Sequence, residues 1–129
     1  MAAAEREWQV AEHDALAVRT RGSARGLERL RQVELVPFQA YARAQLASVM
    51  TAHVIFEALD KGVPATMSKP VLRLLRDELG FDGVLVSDDV EMKAIAEHYT
   101  IEEAVVQATI AGVDLFLVCH QAEVQRRAI

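Results

Sequence analysis

Short apolar runs alternate with longer amphipathic stretches along this chain. The run at residues 84–86 has no polar alternation, which is typical of a strand buried on both faces of a parallel sheet. Residues 46–54 and 113–119 are two further strand candidates. The carboxyl ends of the three runs, near His53, Asp88 and His120, recur at roughly 35 residues, about the size of a β-α unit.

The first two predicted helices are separated by a proline. Between residues 24 and 35, apolar side chains share one helical face: Leu27, Leu30, Val33 and Leu35. Pro37 interrupts this pattern, because proline lacks an amide donor and clashes with the preceding turn. We therefore predict a second helix from Pro37 to about Gln45, with the proline in its first turn.

Two later helices have capping signals. Ser68 is a predicted N-cap, and Gly80 supplies the left-handed residue that ends the same helix. Arg76 falls on the face of this helix that is predicted to be exposed to solvent. Thr100 and Glu103 form a capping box, in which each side chain accepts a hydrogen bond from the other residue's backbone amide.

These elements predict an α/β fold of about three parallel strands with intervening helices. Right-handed crossovers bring the three strand exits to the same edge of the sheet. Three strands do not close a barrel and leave two open edges, so we expect a portion of a larger sheet or self-association through those edges. Residues 1–23 have few large apolar groups, and we expect them to be poorly ordered.

Composition narrows the range of partners. The chain has 129 residues, enough for one modest domain, and 52% of them are hydrophobic. A net charge of −5 provides no basic surface for nucleic acid, so none is expected as a partner. Cys119 is the single cysteine, and no run is long enough for a membrane span. We expect a cytoplasmic protein that is not bound to a membrane, and no motif indicates a metal or cofactor.

The candidate chemistry lies at the strand exits. Asp88 and Asp89 are adjacent, so an extended backbone directs them to opposite faces. We expect Asp88 to face a site, and Asp89 to point outward, to approach a backbone amide or to cap the following helix. His53 is open to three readings: a general acid/base, a sugar or phosphate contact, or a core histidine with satisfied nitrogens. Cys119, at a predicted buried strand end, is expected to behave as a small apolar residue.

An aspartate pair after a strand has another interpretation. Flavodoxin-like domains can carry a phospho-acceptor or Mg²⁺ site at such an exit. That reading predicts stabilisation by magnesium.

Five motifs in order resemble the second half of the barrel domain of glycoside hydrolase family 3. They are residues 34–38 (ELVPF), 49–54 (VMTAHV), 64–68 (PATMS), 75–95 (LRDELGFDGVLVSDDVEMKAI) and 111–120 (AGVDLFLVCH). Within the family, the Ser-Asp-Asp sequence followed by a methionine is similar to the bacterial β-N-acetylhexosaminidase branch. The resemblance covers roughly residues 24–129, as a C-terminal portion of the barrel domain.

The resemblance implies a partial (β/α)8 TIM barrel and a retaining glycosidase acting on an N-acetylglucosamine-type glycoside. Asp88 matches the family's nucleophile, and His53 and Met92 match positions near the sugar. The family's acid/base loop, which reads KHFPGHGDT, is not reproduced in residues 1–23. We therefore expect little activity from this chain alone. The alternative is a non-catalytic half-barrel that self-associates or complements a separate N-terminal half.

Overall fold

The computed structural model describes residues 24–129, so the predicted poor order of residues 1–23 lies outside the described part of the chain. Helices and short strands alternate along it. In chain order the elements are helices α1 (Ala24–Gln32) and α2 (Val36–Arg43), strand β1 (Ser48–Met50), a 3₁₀ turn (Ala65–Met67), helix α3 (Lys69–Arg73) with a π-helical extension (Leu74–Glu78), strand β2 (Val84–Asp89), helices α4 (Lys93–Ala96) and α5 (Ile101–Ala111), strand β3 (Leu115–Leu117) and helix α6 (Ala122–Arg127).

The three strands form one parallel sheet with β2 in the middle. Val49 of β1 lies opposite Leu85, and Val86 lies opposite Leu115 of β3. Parallel strands joined by helical segments confirm the predicted α/β class and match part of a (β/α)8 barrel. Only Ser48–Met50 of the strand predicted within residues 46–54 is a strand in the structure, because the chain leaves the sheet soon after Met50.

Helices cover one face of this sheet. Leu85, the second residue of the central strand β2, is fully buried. Its face packs against side chains from α3, α4 and α5 in a single core: Val49, Met67, Leu72, Phe81, Leu85, Ile95, Ala104, Ala108, Ala111 and Val113. Small alanines on α5 allow that helix to approach the sheet closely.

The opposite face of the sheet is uncovered within the described residues. Met50, Val84 and Leu115 are 39%, 43% and 51% exposed, and Val86 is half-buried. The prediction that the run at 84–86 is buried on both faces is therefore wrong. Side chains alternate along a strand, and α3 and α5 pack against the face that carries Leu85.

The first helix also departs from its predicted pattern. Leu30 is buried, whereas Val33 is 54% exposed and does not share the apolar face. The reason is that α1 ends at Gln32, so Val33 lies in the turn that follows. The predicted position of Pro37 is confirmed, since it lies in the first turn of α2.

Arg76 is not the solvent-facing residue that the sequence predicted. Its guanidinium donates to the carbonyls of Phe81, at 3.1 Å, and Gly83, at 2.6 Å, and pairs with Asp114 at 2.7 Å. The π-helical extension, with its wider turn, changes the helical phase at this point. Asp114 Oδ2 also accepts from the amide of Leu85, so the arginine ties this helix to the start of the central strand.

The predicted helix caps are present. Ser68 Oγ accepts from the amide of Val71 at 3.3 Å, and Gly80 has a left-handed φ of +71°. Thr100 and Glu103 form both hydrogen bonds of the capping box. In the part of the chain that the structure covers, no helix combines the length and apolarity needed to cross a membrane.

Leu85→Ala should destabilise the fold strongly, because it leaves a cavity beneath the helices. We expect the free energy of unfolding in urea to fall by about 2–5 kcal/mol. Val84→Ala, on the uncovered face of the same strand, is the matched control and should cost less than about 1 kcal/mol. Equal losses for the two variants would contradict the assignment of the covered face.

Candidate active site

The exits of the three parallel strands meet at Asp89. His53, beyond the end of β1, places Nε2 2.9 Å from the Asp89 carbonyl oxygen. His120, beyond the end of β3, places Nε2 3.1 Å from Asp89 Oδ2. The sequence prediction that the three exits share one edge of the sheet is therefore confirmed.

Asp88 is the carboxylate at this edge that keeps an oxygen available. Its Oδ1 accepts a hydrogen bond from the backbone amide of Asp89 at 2.8 Å. Among the described residues Oδ2 has no hydrogen-bond partner, and the side chain is half-buried. One oxygen is thus held while the other is free to accept a proton or attack an electrophile.

The side chain and carbonyl of Asp89 both accept hydrogen bonds from neighbouring residues. The residue is 9% exposed, and its Oδ1 accepts from the amide of Glu91 at 3.0 Å. Its carbonyl also accepts from the amide of Met92, which is the N-cap residue of α4. Of the three readings left open for Asp89, the contact with a backbone amide is confirmed, whereas the outward orientation and the helix cap are wrong.

Ser87 compensates for an irregularity in the sheet just before the aspartates. The register between β2 and β3 shifts between Val86 and Asp89. Ser87 is fully buried, and its Oγ accepts from the amide of Leu117 at 2.9 Å. The hydroxyl satisfies a backbone donor where the ladder is irregular, which maintains the end of the strand.

Both ring nitrogens of His53 are engaged within the protein. Nδ1 lies 2.9 Å from Thr66 Oγ1, and Nε2 meets the Asp89 carbonyl. Contact of His53 with a sugar stays a prediction, as does the predicted sugar contact of the half-buried Met92. A contact by His53 would use its ring carbons, since its nitrogens already have partners.

Glu91 is a residue that sequence reasoning missed. Its carboxylate accepts from the amides of His120, at 2.6 Å, and Gln121, at 3.1 Å. These bonds attach the segment after β3 to the turn after β2. Its position two residues after the aspartate pair was the available signal, but the amides it meets are about 30 positions away along the chain.

Cys119 is exposed, which corrects the prediction of a buried strand end. Strand β3 ends at Leu117, so Cys119 falls in the segment beyond the sheet. Desolvation of the sulfur, followed by the negative charge of Asp89, raises the pKa of the Cys119 thiol above its usual value. Glu91 and Asp88 add to this effect.

The carboxylates at this edge bind backbone amides and do not form a metal site with other described residues. Among the residues that the structure covers, no group of three or more histidine, cysteine, aspartate or glutamate side chains is arranged to hold a metal ion. Asp89 and Glu91 instead use carboxylate oxygens to accept protein amides.

Comparison with known sequences identifies the family. A profile described as the glycosyl hydrolase family 3 N terminal domain matches residues 14–129. The chain belongs to glycoside hydrolase family 3. It is 42% identical over 100 residues to the beta-hexosaminidase of Chromobacterium violaceum, covering 77% of this chain and 28% of that protein.

Solved structures of family 3 enzymes share the fold. A β-N-acetylglucosaminidase from Paenibacillus sp. superposes with a TM-score of 0.76 at 48% identity, over 78% of this chain and 20% of that one. Native NagZ from Neisseria gonorrhoeae gives a TM-score of 0.72 at 31% identity, over 88% and 31%. The family 3 chain described here therefore spans less than a third of the length of these relatives.

The thiol of Cys119 offers a probe of this family 3 site that needs no substrate. Since the thiolate is the reactive form, a raised pKa should slow reaction with a disulfide reagent at pH 8. Asp89→Asn removes a neighbouring negative charge and should speed the reaction roughly two- to fivefold. Absorbance of the released thiol measures the rate. Glu123→Gln, on α6, is the control, and equal rates for both variants would refute the proposed influence of Asp89.

Proposed function

We propose that this chain carries the nucleophile of a retaining β-N-acetylhexosaminidase and that Asp88 is that residue. The observation that carries the proposal is the Asp88 carboxylate, with Oδ1 held by the Asp89 amide and Oδ2 available. Its position at the carboxyl edge of a parallel sheet is where barrel enzymes carry their chemistry. The beta-hexosaminidase and β-N-acetylglucosaminidase names of the relatives support an N-acetylglucosamine-type glycoside as substrate.

In the proposed reaction, Asp88 Oδ2 attacks the anomeric carbon and the bond to the leaving oxygen breaks. The leaving oxygen takes a proton from a general acid, and the sugar remains as an ester on Asp88. Water, deprotonated by the same group in its basic form, then attacks the anomeric carbon. The sugar leaves with retained configuration, and Asp88 regains its carboxylate.

We propose that the general acid is not among the described residues near Asp88. Asp89 and Glu91 are occupied by backbone amides, and Asp89 also meets His120. Retaining glycosidases need a second group about 5–5.5 Å from the nucleophile. Because acid/base assistance contributes about 10²–10⁴-fold, the chain alone should have little activity on unactivated glycosides. We propose a cytoplasmic site of action, with residues 24–129 as a C-terminal portion of the barrel domain.

Covalent labelling should detect the nucleophile even without a general acid. A fluorinated glycoside with an activated leaving group needs no protonation on departure, so it should add one glycosyl residue to the chain. Intact mass spectrometry measures the adduct, and peptide mapping should locate it at Asp88.

Asp88→Asn should abolish the adduct, because a carboxamide is a poor nucleophile. The matched control is Asp82→Asn, an exposed aspartate that precedes β2, which should be labelled at the wild-type rate. An unlabelled wild-type chain, or equal labelling of Asp88→Asn, would count against the proposed nucleophile.

A second candidate function is a half-barrel that self-associates. The uncovered sheet face carries Met50, Val84 and Leu115, which are large hydrophobic residues with substantial exposure. In the described sheet, β1 and β3 are edge strands, each with one side unpaired. A second copy could cover this face and pair with an edge, as could a separate N-terminal half.

Sedimentation of the chain over a range of concentrations should reveal a dimer if this second function holds. Leu115→Glu should shift the equilibrium towards monomer, because it would bury a charge in the contact. Val106→Glu, on the exposed side of α5, is the control and should leave the equilibrium unchanged. A monomer at every concentration, or equal effects of both variants, would reject self-association.

A further inference from the structure

We propose that His53 is a positioning residue for Asp88. Together with Thr66, it holds the backbone of Asp89, whose amide in turn holds the Asp88 carboxylate. The proposal rests on the proposed role of Asp88 as the nucleophile. It assigns to His53 a task that uses both of its ring nitrogens and needs no contact with substrate.

The hydrogen bonds determine which nitrogen of His53 carries the proton. A carbonyl oxygen can only accept, so Nε2, 2.9 Å from the Asp89 oxygen, is the protonated nitrogen. In the neutral ring Nδ1 is then an acceptor, and the Thr66 hydroxyl 2.9 Å away is its donor. The ring therefore accepts a hydrogen bond from Thr66 at Nδ1 and donates another to the Asp89 carbonyl at Nε2.

Thr66 is well placed to fix the orientation of the His53 ring. It is 1% exposed, and its Oγ1 lies 2.8 Å from Thr51 Oγ1, which can supply the hydrogen bond that Thr66 accepts. The 3₁₀ turn that contains Thr66 is itself attached to the segment after β1, because the amide of Ala65 donates to the carbonyl of Val54 at 2.8 Å. A second acceptor for Thr66, the carbonyl of Ala52, is more distant at 3.2 Å.

The chain of contacts ends at the carboxylate of Asp88. The Asp89 carbonyl receives two donors, His53 Nε2 and the amide of Met92 at 3.0 Å, so one end of Asp89 is fixed. The amide at the other end of Asp89 donates to Asp88 Oδ1 at 2.8 Å. Loss of the His53 contact removes one of the two hydrogen bonds to the Asp89 carbonyl. The Asp88 carboxylate should then occupy a wider range of positions.

Two readouts on the full 129-residue chain test this inference. The first follows the Asp89 amide proton by NMR as pH is lowered, because that proton senses protonation of the carboxylate to which it donates. The second is the rate of Asp88 labelling by the activated fluorinated glycoside. The NMR readout needs no catalysis, so it judges the positioning role even if no adduct forms.

His53→Ala should reduce the pH-dependent shift of the Asp89 amide by about half or more, since a hydrogen bond weakens steeply when its donor and acceptor are misaligned. It should also slow labelling by about tenfold or more, because small displacements of reacting groups are costly. His53→Gln keeps a donor near the position of Nε2 and should recover most of both signals. His98→Ala, at an exposed histidine on another segment, should match the wild type in both.

Thr66→Val provides a second variant if His53→Ala does not fold. It keeps the side-chain shape but removes the donor to Nδ1, so both signals should fall in the same direction. Thr109→Val, which removes an exposed hydroxyl bonded within α5, is its control. An unchanged Asp89 amide titration in folded His53→Ala or Thr66→Val would overturn the positioning role. Absence of an adduct at Asp88 in the wild type, with the NMR effects present, would reject the nucleophile and leave the positioning of Asp88 standing.

Discussion

Asp89 connects three parts of the structure that the chain separates by long intervals. Its carbonyl binds the segment after β1 through His53, and its side chain binds the segment after β3 through His120. Its amide holds the carboxylate of Asp88. A nearly buried carboxylate is costly unless hydrogen bonds replace its hydration, and the Glu91 amide and the His120 ring supply those bonds. Asp89 therefore holds the segments that follow β1 and β3 against the end of β2.

The division of tasks between the neighbouring aspartates follows from these contacts. Asp89 uses both side-chain oxygens within the protein, whereas Asp88 uses one. Glu91 adds a third carboxylate nearby, whose charge is offset by two backbone amides. Desolvation of the sulfur, and after it the negative charge at this edge, raise the pKa of the Cys119 thiol. The same carboxylates support the proposed glycosidase function, because they would stabilise positive charge that develops on a bound substrate. The oxocarbenium-like transition state of glycoside hydrolysis has this character.

The two faces of the sheet have different environments. One face packs against α3 and α5 around the fully buried Leu85, and this core supplies most of the apolar burial in the described residues. The other face presents Met50, Val84 and Leu115 to solvent. The proposed self-association rests on these exposed apolar side chains and on the unpaired strand edges beside them.

Several local features could be predicted from the amino-acid sequence: the three strand segments, the caps at Ser68, Gly80 and Thr100, and the placement of Asp88 at a strand exit. Each depends on residues close together in the chain, so spacing and side-chain type are enough to predict it. The motifs near Asp88 also carried the family resemblance, which the comparisons confirmed.

The long-range contacts could not be predicted in this way. The partners of Arg76, His53 and Glu91 lie on other elements, and local patterns contain no record of which distant amide or carbonyl a polar side chain meets. The exposure of Val84 likewise depends on which helices pack against each face of the sheet. Long-range packing in three dimensions therefore determined how Asp88 is held, while the sequence determined where along the chain it lies.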